Sequence, residues 1–373
     1  MIVRLLVFLL LLPAASLRAE LETFYLGTYT EGTGSEGIYR ATLDSVTGQL
    51  GPVKLAVATR KNPTFLARSE DGRFIYAAMS DAVAAFAVQP DGTLREINRQ
   101  PSGANTCHLS LDHTGRELFS ASYDDGTVSA FPLNADGSIG AEITRQKLTG
   151  SGPNHDRQLS PHAHSVNVDP ENHFLFTCDL GSDRIWTFRI ADGGKLVPAD
   201  PPYIQCAPGS GPRHLVFSRQ AALVVVANEL GVSISRFGRI PATGALRLDQ
   251  TLATINPGWP KGTGSGEIAI DPSGTSIYVS TRVTDRITYF SMINLLDGWS
   301  QHPISREQVI DSPVKFPRSI ALDPSGRWLV VAGQTDNRVA VLKIDVSNGR
   351  LAPTDQVTTV DAPVCVLFSP TAK

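Results

Sequence analysis

Five residues of this chain have the types from which proton transfer on an anion could be built: His164, Arg213, Glu229, Arg282 and Arg318. Arginines fork onto carboxylates, phosphates or a developing alkoxide. A histidine exchanges a proton near neutral pH. A glutamate among them can orient the histidine or an arginine, or act as the base itself. A structural ion network at buried strand ends would use the same residue types. His162 lies two residues before His164, and a His-x-His pair with a third ligand can hold a metal. Pro161 leaves His162 in a loop, however, and arginines would surround the ion, so no metal is expected. His155 and His173 read as loop and turn residues, and His302 has no motif around it.

These residues occupy equivalent places in a repeat. An apolar strand, an Asp/Ser-x-x-Gly turn or a relative of it, and a second apolar strand recur from Phe65-Leu-Ala-Arg-Ser-Glu-Asp-Gly-Arg-Phe-Ile-Tyr to Ile320-Ala-Leu-Asp-Pro-Ser-Gly-Arg-Trp-Leu-Val. The turn anchors are Ser69, Asp112, Asp169, Ser218, Asp271, Asp323 and Ser369, at separations of 43, 57, 49, 53, 52 and 46 residues. Aspartate or serine accepts a local backbone bond there, proline presets φ, and glycine tolerates positive φ. A third strand follows, as in Val128-Ser-Ala-Phe. A glycine turn and a short fourth element come next: Asp91-Gly-Thr-Leu, Asp136-Gly-Ser-Ile, Thr243-Gly-Ala-Leu and Asn348-Gly-Arg-Leu.

Four short strands per repeat and seven anchors predict an all-β, seven-bladed β-propeller of four-stranded antiparallel blades, with almost no helix. The last repeat stops after its first strand, whereas Phe24–Tyr29 reads as a second strand without a first, completed by Gly37-Ile-Tyr-Arg and Thr47-Gly-Gln-Leu. The two termini should therefore share one blade and close the ring, leaving few exposed edges.

In a propeller the first strand of each blade lines the central channel, so aligning the repeats predicts which side chains meet there. Five residues before the anchors stand Thr64, Cys107, His164, Arg213, Gly266, Arg318 and Val364. Four before them stand Phe65, His108, Ser165, His214, Glu267, Ser319 and Cys365. Eleven after them, past the second strand, stand Ser80, Tyr123, Leu180, Glu229, Arg282 and Gln334, with Tyr29 in the closing blade. The charges of neighbouring blades should converge near the axis, where a low-dielectric mouth strengthens their fields. His164, Arg213, Glu229 and Arg282 are the expected catalytic residues. His108, His162, Arg318, Tyr123, Gln334 and Glu267 are the expected substrate contacts.

Composition narrows the partners. Lys+Arg 33 against Asp+Glu 36 give a net charge of −3, and removing residues 1–19 with Arg4 and Arg18 brings it to −5. That argues against a nucleic-acid or polybasic membrane surface. Residues 1–19 read as an export leader: Arg4, the apolar run Leu5–Leu12, a break at Pro13 and a small residue at Ala19. The run is too short to span a bilayer. Residues 20–373 should then form one propeller domain outside the cytoplasm, periplasmic or secreted. Cys107, Cys178, Cys206 and Cys365 show no CxxC pair or metal spacing, and no disulfide framework is expected.

The phrases Tyr25-Leu-Gly-Thr-Tyr, Cys107-His-Leu-Ser-Leu-Asp, Pro161-His-Ala-His-Ser-Val, Cys178-Asp-Leu-Gly-Ser-Asp, Gly211-Pro-Arg-His-Leu-Val-Phe, Ala227-Asn-Glu-Leu and Gly266-Glu-Ile-Ala-Ile-Asp-Pro, in this order, resemble the seven-bladed propeller lactonase family. That family holds the cycloisomerase-type 6-phosphogluconolactonases and the fungal carboxy-cis,cis-muconate cyclase. The resemblance covers roughly residues 22–370 and implies a cofactor-free lactone hydrolase. Its histidine, two arginines and glutamate fall on His164, Arg213, Arg282 and Glu229, the positions the repeat alignment singles out. One departure is Thr281 in Ser280-Thr-Arg282, where the family usually has asparagine. A second is the leader, which points to an unphosphorylated aldonolactone or another extracellular lactone.

Lactone hydrolysis needs an activated water and a stabilised oxyanion. No Gly-x-Ser-x-Gly elbow is present for a serine acyl-enzyme. A non-catalytic binding propeller and a lactone-forming cyclase are the competing readings, and nothing in the sequence sets the oligomeric state.

Overall fold

Each blade grows from its turn. The computed structural model describes residues 20–219, 221–292 and 303–370. The expected leader and His302 lie outside them. Asp169 Oδ1 accepts the N–H of His173 at 2.7 Å and of Phe174 at 2.8 Å. Asp323 Oδ1 accepts that of Trp328 at 2.7 Å, and Ser218 Oγ accepts that of Leu223 at 3.1 Å. These local bonds reverse the chain between the first and second strands of a blade.

Seven four-stranded antiparallel sheets result. Blades one to six cover residues 65–101, 106–147, 163–205, 212–253, 264–311 and 317–359, and each runs in chain order away from the axis. In the seventh, Pro363–Phe368 is the innermost strand and Leu21–Thr28, Gly37–Asp44 and Lys54–Ala58 follow it. The termini therefore share a blade as expected, in the register Phe24↔Phe368, Tyr25↔Leu367 and Leu26↔Val366. The only helical element among the described residues is the 3-10 turn Asp192–Gly194.

The fourth strands differ from the expectation in length and place. Thr47–Leu50 belongs to the turn, and the strand itself is Lys54–Ala58. After Asp136-Gly-Ser-Ile the strand is Thr144–Lys147, and in blade three it is the 11-residue Lys195–Gln205. These are outer edge strands whose burial alternates with exposure, so packing constrains their ends little.

The second strands explain the apolar runs. Alternate residues of one strand enter two different cores. Ile75 and Ala77 pack toward the closing blade, whereas Tyr76 and Ala78 pack toward blade two. Val224 and Val226 pack with blade three, whereas Val225 and Ala227 pack with blade five. A strand buried on both faces needs apolar residues at every position, so Leu223-Val-Val-Val-Ala shows no alternation. Blades three and four are also joined by Arg239, fully buried, which donates to Asp169 at 2.8 Å, Glu171 at 2.6 Å and the Ala221 carbonyl at 2.7 Å.

Ring closure depends on Phe24, fully buried, with its ring 5.3 Å from that of Phe368. Phe24→Ala should destabilise the protein by about 3–5 kcal/mol. In limited proteolysis the first cut should then fall near the N-terminal strand; unchanged stability would show that the ring closes without this contact.

Candidate active site

The innermost strands are bulged where the charged column lies. Pairing with the second strand jumps between Thr106 and His108, Ala163 and Ser165, Pro212 and His214, Ser265 and Ile268, and Pro317 and Ser319. The extra residues are Cys107, His164, Arg213, Gly266 with Glu267, and Arg318. A bulge breaks the in–out alternation and re-aims side chains, so two consecutive residues of one strand both reach the channel. Gly211 sets up one of these strands at φ 59°; a Cβ there would meet Leu230 Cγ at 2.6 Å, and its carbonyl accepts the Glu229 N–H at 2.7 Å.

Glu229 follows the strand Leu223–Asn228 and is the hub of the site. Its Oε1 accepts from Arg157 Nη2 at 2.8 Å. Its Oε2 lies 3.1 Å from Arg213 Nε, 2.8 Å from Arg282 Nη2 and 3.8 Å from His164 Nε2. Arg213 Nη1 also donates to the Gly266 carbonyl at 2.8 Å, and Arg282 Nη2 to that of Ser265 at 3.1 Å. The Arg282 guanidinium sits 5.4 Å over the ring of Phe316, a bulky residue held at φ 52°. Three guanidiniums against one carboxylate leave two positive charges in a buried mouth.

Electrostatics follow from that count. Burial alone would raise the Glu229 pKa, but Arg282, Arg213 and Arg157 outweigh it and hold the carboxyl far below the ordinary range. Burial, then Arg282 and Arg318, lowers Arg213 to about 10. Burial, then Arg213, His214 and Arg318, pushes His164 well below the usual histidine value, so its imidazole is neutral at pH 7. Its Nδ1 is buried with no hydrogen-bond partner.

A second layer lies one residue further along the same strands. His214 Nδ1 donates to Glu267 Oε1 at 2.5 Å, and the His214 ring stands 5.2 Å from that of His164 and 5.0 Å from that of His108. His108 stacks on Phe65 at 3.9 Å. His108 and Glu267, expected as substrate contacts at the mouth, thus sit in this layer with other partners. No arginine bonds to Gln334: its buried Oε1 is unpartnered, and it lines a hollow of about 430 Å³ with Tyr29, Glu31 and Asn337. Arg318 lies 5.4 Å over the Tyr29 ring. His162 and Tyr123 do join the site; their rings stack at 4.4 Å, and Tyr123 meets His164 edge-on at 5.4 Å. His162 Nδ1 donates to the Tyr123 carbonyl at 2.8 Å, which removes that nitrogen as a ligand. Among the described residues no three His, Cys, Asp or Glu are grouped to hold a metal.

Sequence reasoning missed Arg157, which bridges Glu229 Oε1 and the Tyr123 hydroxyl at 2.8 and 2.9 Å. It lies in the loop before blade three, outside the repeated phrase. Its signal was the separation of 57 residues between Asp112 and Asp169, the longest in the series. Gln158, fully buried beside it, pins the loop by donating to Asp183 Oδ1 and to the Leu180 carbonyl, both at 2.8 Å.

Residues 23–368 match the model of a family described as lactonase, 7-bladed β-propeller. The chain belongs to this family. It is 31% identical to the 6-phosphogluconolactonase of Bacillus subtilis over 350 residues, covering 92% of this chain and 97% of the relative. It is 31% identical to that of Formosa agariphila over 353 residues, 90% and 96% of the two chains. The periplasmic gluconolactonase of Pseudomonas aeruginosa superimposes with a TM-score of 0.87 at 28% identity, over 95% of this chain and all of that one.

In this lactonase the departure at Thr281 takes nothing from the arginine cluster. The Thr281 hydroxyl is fully buried and donates to Thr254 Oγ1 at 3.2 Å, toward the neighbouring blade. Cys107, in the charged column, is held as an unreactive thiol, pushed up to about 12 by burial.

Glu229 should also matter for stability. Its folded pKa lies below the ordinary 4.5, so its contribution is complete above that pH and fades as the pH falls toward the folded value. Glu229→Gln leaves three guanidiniums without their counter-charge and should cost about 3–5 kcal/mol at pH 7. Denaturant unfolding between pH 7 and 2 should show the wild-type advantage shrinking in acid; equal stability at pH 7 would refute the hub role.

Proposed function

We propose that this protein hydrolyses a sugar lactone and that His164, Arg213, Glu229 and Arg282 carry the reaction. The supporting observation is a neutral histidine set beside guanidiniums that a single carboxylate holds in place. His164 takes a proton from water as the water oxygen adds to the ring carbonyl. The oxyanion formed is met by Arg282 and Arg213, already oriented and in a mouth shielded from bulk water. Collapse of the tetrahedral adduct breaks the bond to the ring oxygen. That oxygen receives the proton from His164, and the product leaves as an open-chain acid. Glu229 orients the arginines and, at 3.8 Å from Nε2, offsets the positive charge while His164 is protonated. Both of its oxygens are engaged by guanidiniums, whereas His164 Nδ1 has no hydrogen-bond partner, so the water-activating role falls to His164.

Residues 1–19 support export, and the lactone would then be met outside the cytoplasm. Mass spectrometry of the mature protein should give an N-terminus at Glu20; an intact Met1 in a cytoplasmic fraction would reverse this part of the proposal.

Proton release from 6-phosphogluconolactone and gluconolactone, corrected for spontaneous opening, tests the activity. His164→Ala should lower kcat by about 10²–10⁴-fold with the fold retained. A base must be unprotonated to act, and the His164 pKa is lowered, so the acid limb of kcat/KM should lie below pH 6.5 with a plateau at neutral pH. A variant as active as the wild type would remove His164 from the mechanism.

A further inference from the structure

Arg157 differs from its two partners on Glu229. Arg213 and Arg282 come from strands, are almost wholly buried, and are each tied to a backbone carbonyl as well. Arg157 comes from a loop, its side chain is 41% exposed, and both its hydrogen bonds end on side chains of the site, Glu229 and Tyr123. If it turned away, Glu229 would keep two guanidiniums on Oε2, so the carboxylate would stay ionised and held. The loop itself would not follow, because Gln158 anchors it to Asp183. Arg157 thus covers the carboxylate from the solvent side, on a fixed backbone, with a side chain free to exchange partners.

The charge balance says what it would exchange them for. Three guanidiniums face the Glu229 carboxylate, and half-buried Arg318 adds a fourth cation with no carboxylate partner among the described residues; the ionised Glu267 beside His214 offsets one of the four, which leaves a surplus of two positive charges. A site with surplus positive charge in a low-dielectric mouth is neutralised by an anionic ligand. A lactone carbonyl seated on Arg213 and Arg282 supplies negative charge only during the reaction. A second, permanent anionic group on the substrate would supply it from the start.

We propose that Arg157 selects the substrate: its guanidinium moves off Glu229 Oε1 and the Tyr123 hydroxyl and donates instead to an anionic substituent, phosphate or carboxylate, on the lactone away from the reacting carbonyl. This rests on the lactonase reading above and adds the residue that reads the charge of the substrate. Tyr123, released by Arg157, becomes a hydrogen-bond donor to the same group.

The test compares three lactones on the wild-type protein, Arg157→Gln and Arg157→Lys: 6-phosphogluconolactone, the lactone of glucaric acid and neutral gluconolactone. The wild type should prefer one of the two charged lactones, and which one tells phosphate from carboxylate. Arg157→Gln should lower kcat/KM for that lactone by about 100-fold, mainly through KM, and for gluconolactone by less than about 5-fold. Arg157→Lys should recover part of the loss. An equal loss on all three lactones would reduce Arg157 to a support for Glu229. A wild type that does not favour a charged lactone would overturn the proposal.

If no lactone is turned over, the hydrolase reading fails, and calorimetry with 6-phosphogluconate, glucarate and gluconate decides the selection separately. Tighter binding of a doubly charged acid that is lost in Arg157→Gln supports it; equal binding of all three acids overturns it.

Discussion

A single ionised carboxylate, that of Glu229, gathers three guanidiniums drawn from different parts of the chain, each steadied by one further bond, to the Gly266 carbonyl, the Ser265 carbonyl or the Tyr123 hydroxyl. Arginines packed this closely repel one another, and burial deprives them of the water that would screen them. Glu229 offsets both costs only if its own position is fixed. Its backbone N–H supplies part of that, bonded to Gly211 on the neighbouring innermost strand. The rest comes from the second strand of blade four, whose side chains are buried on both faces. Surplus positive charge and a neutral histidine then follow as consequences of the same arrangement.

The propeller suits this task because each blade delivers one strand to the axis and is clamped between two others. Apolar cores between neighbouring blades make the ring stiff, and the shared seventh blade removes the free ends that would otherwise let it open. Bulges at the channel ends of the innermost strands turn stiffness into function. They put His164 and Arg213 at the mouth and still let His214, the next residue after Arg213, reach the axis. Gly266 fits the same column because no side chain has room there: a Cβ would meet Ser280 Oγ at 2.5 Å and the Pro317 carbonyl at 3.0 Å. Its carbonyl serves instead, accepting from Arg213.

Much of this was legible in the sequence because it is repetitive. The anchors from Ser69 to Ser369 set blade number, and the missing first strand at the N-terminus against the extra one at the C-terminus set the closure. Positions five before and eleven after each anchor located His164, Arg213, Glu229 and Arg282, since equivalent places in a ring of blades lie at equal distances from the axis. The depth of each side chain was not legible. His108 and Glu267 differ from the charged column by one residue, and only the bulge decides that they lie in a separate layer. Gln334 holds the same repeat position as Glu229 but faces a hollow between blades, with no arginine on its oxygen.

The sequence by itself determined the architecture, the order of the blades and the charged column, because turn chemistry and two-sided apolar strands act locally and are written in every repeat. Only the tertiary structure decided the protonation states, the two layers of the channel and the entry of Arg157. Charges interact through space rather than along the chain, so their balance exists only after blades have met. Arg157 sits in a loop that belongs to no repeat, and its place beside Glu229, 72 residues away, is set by Gln158 and Asp183 rather than by any local pattern.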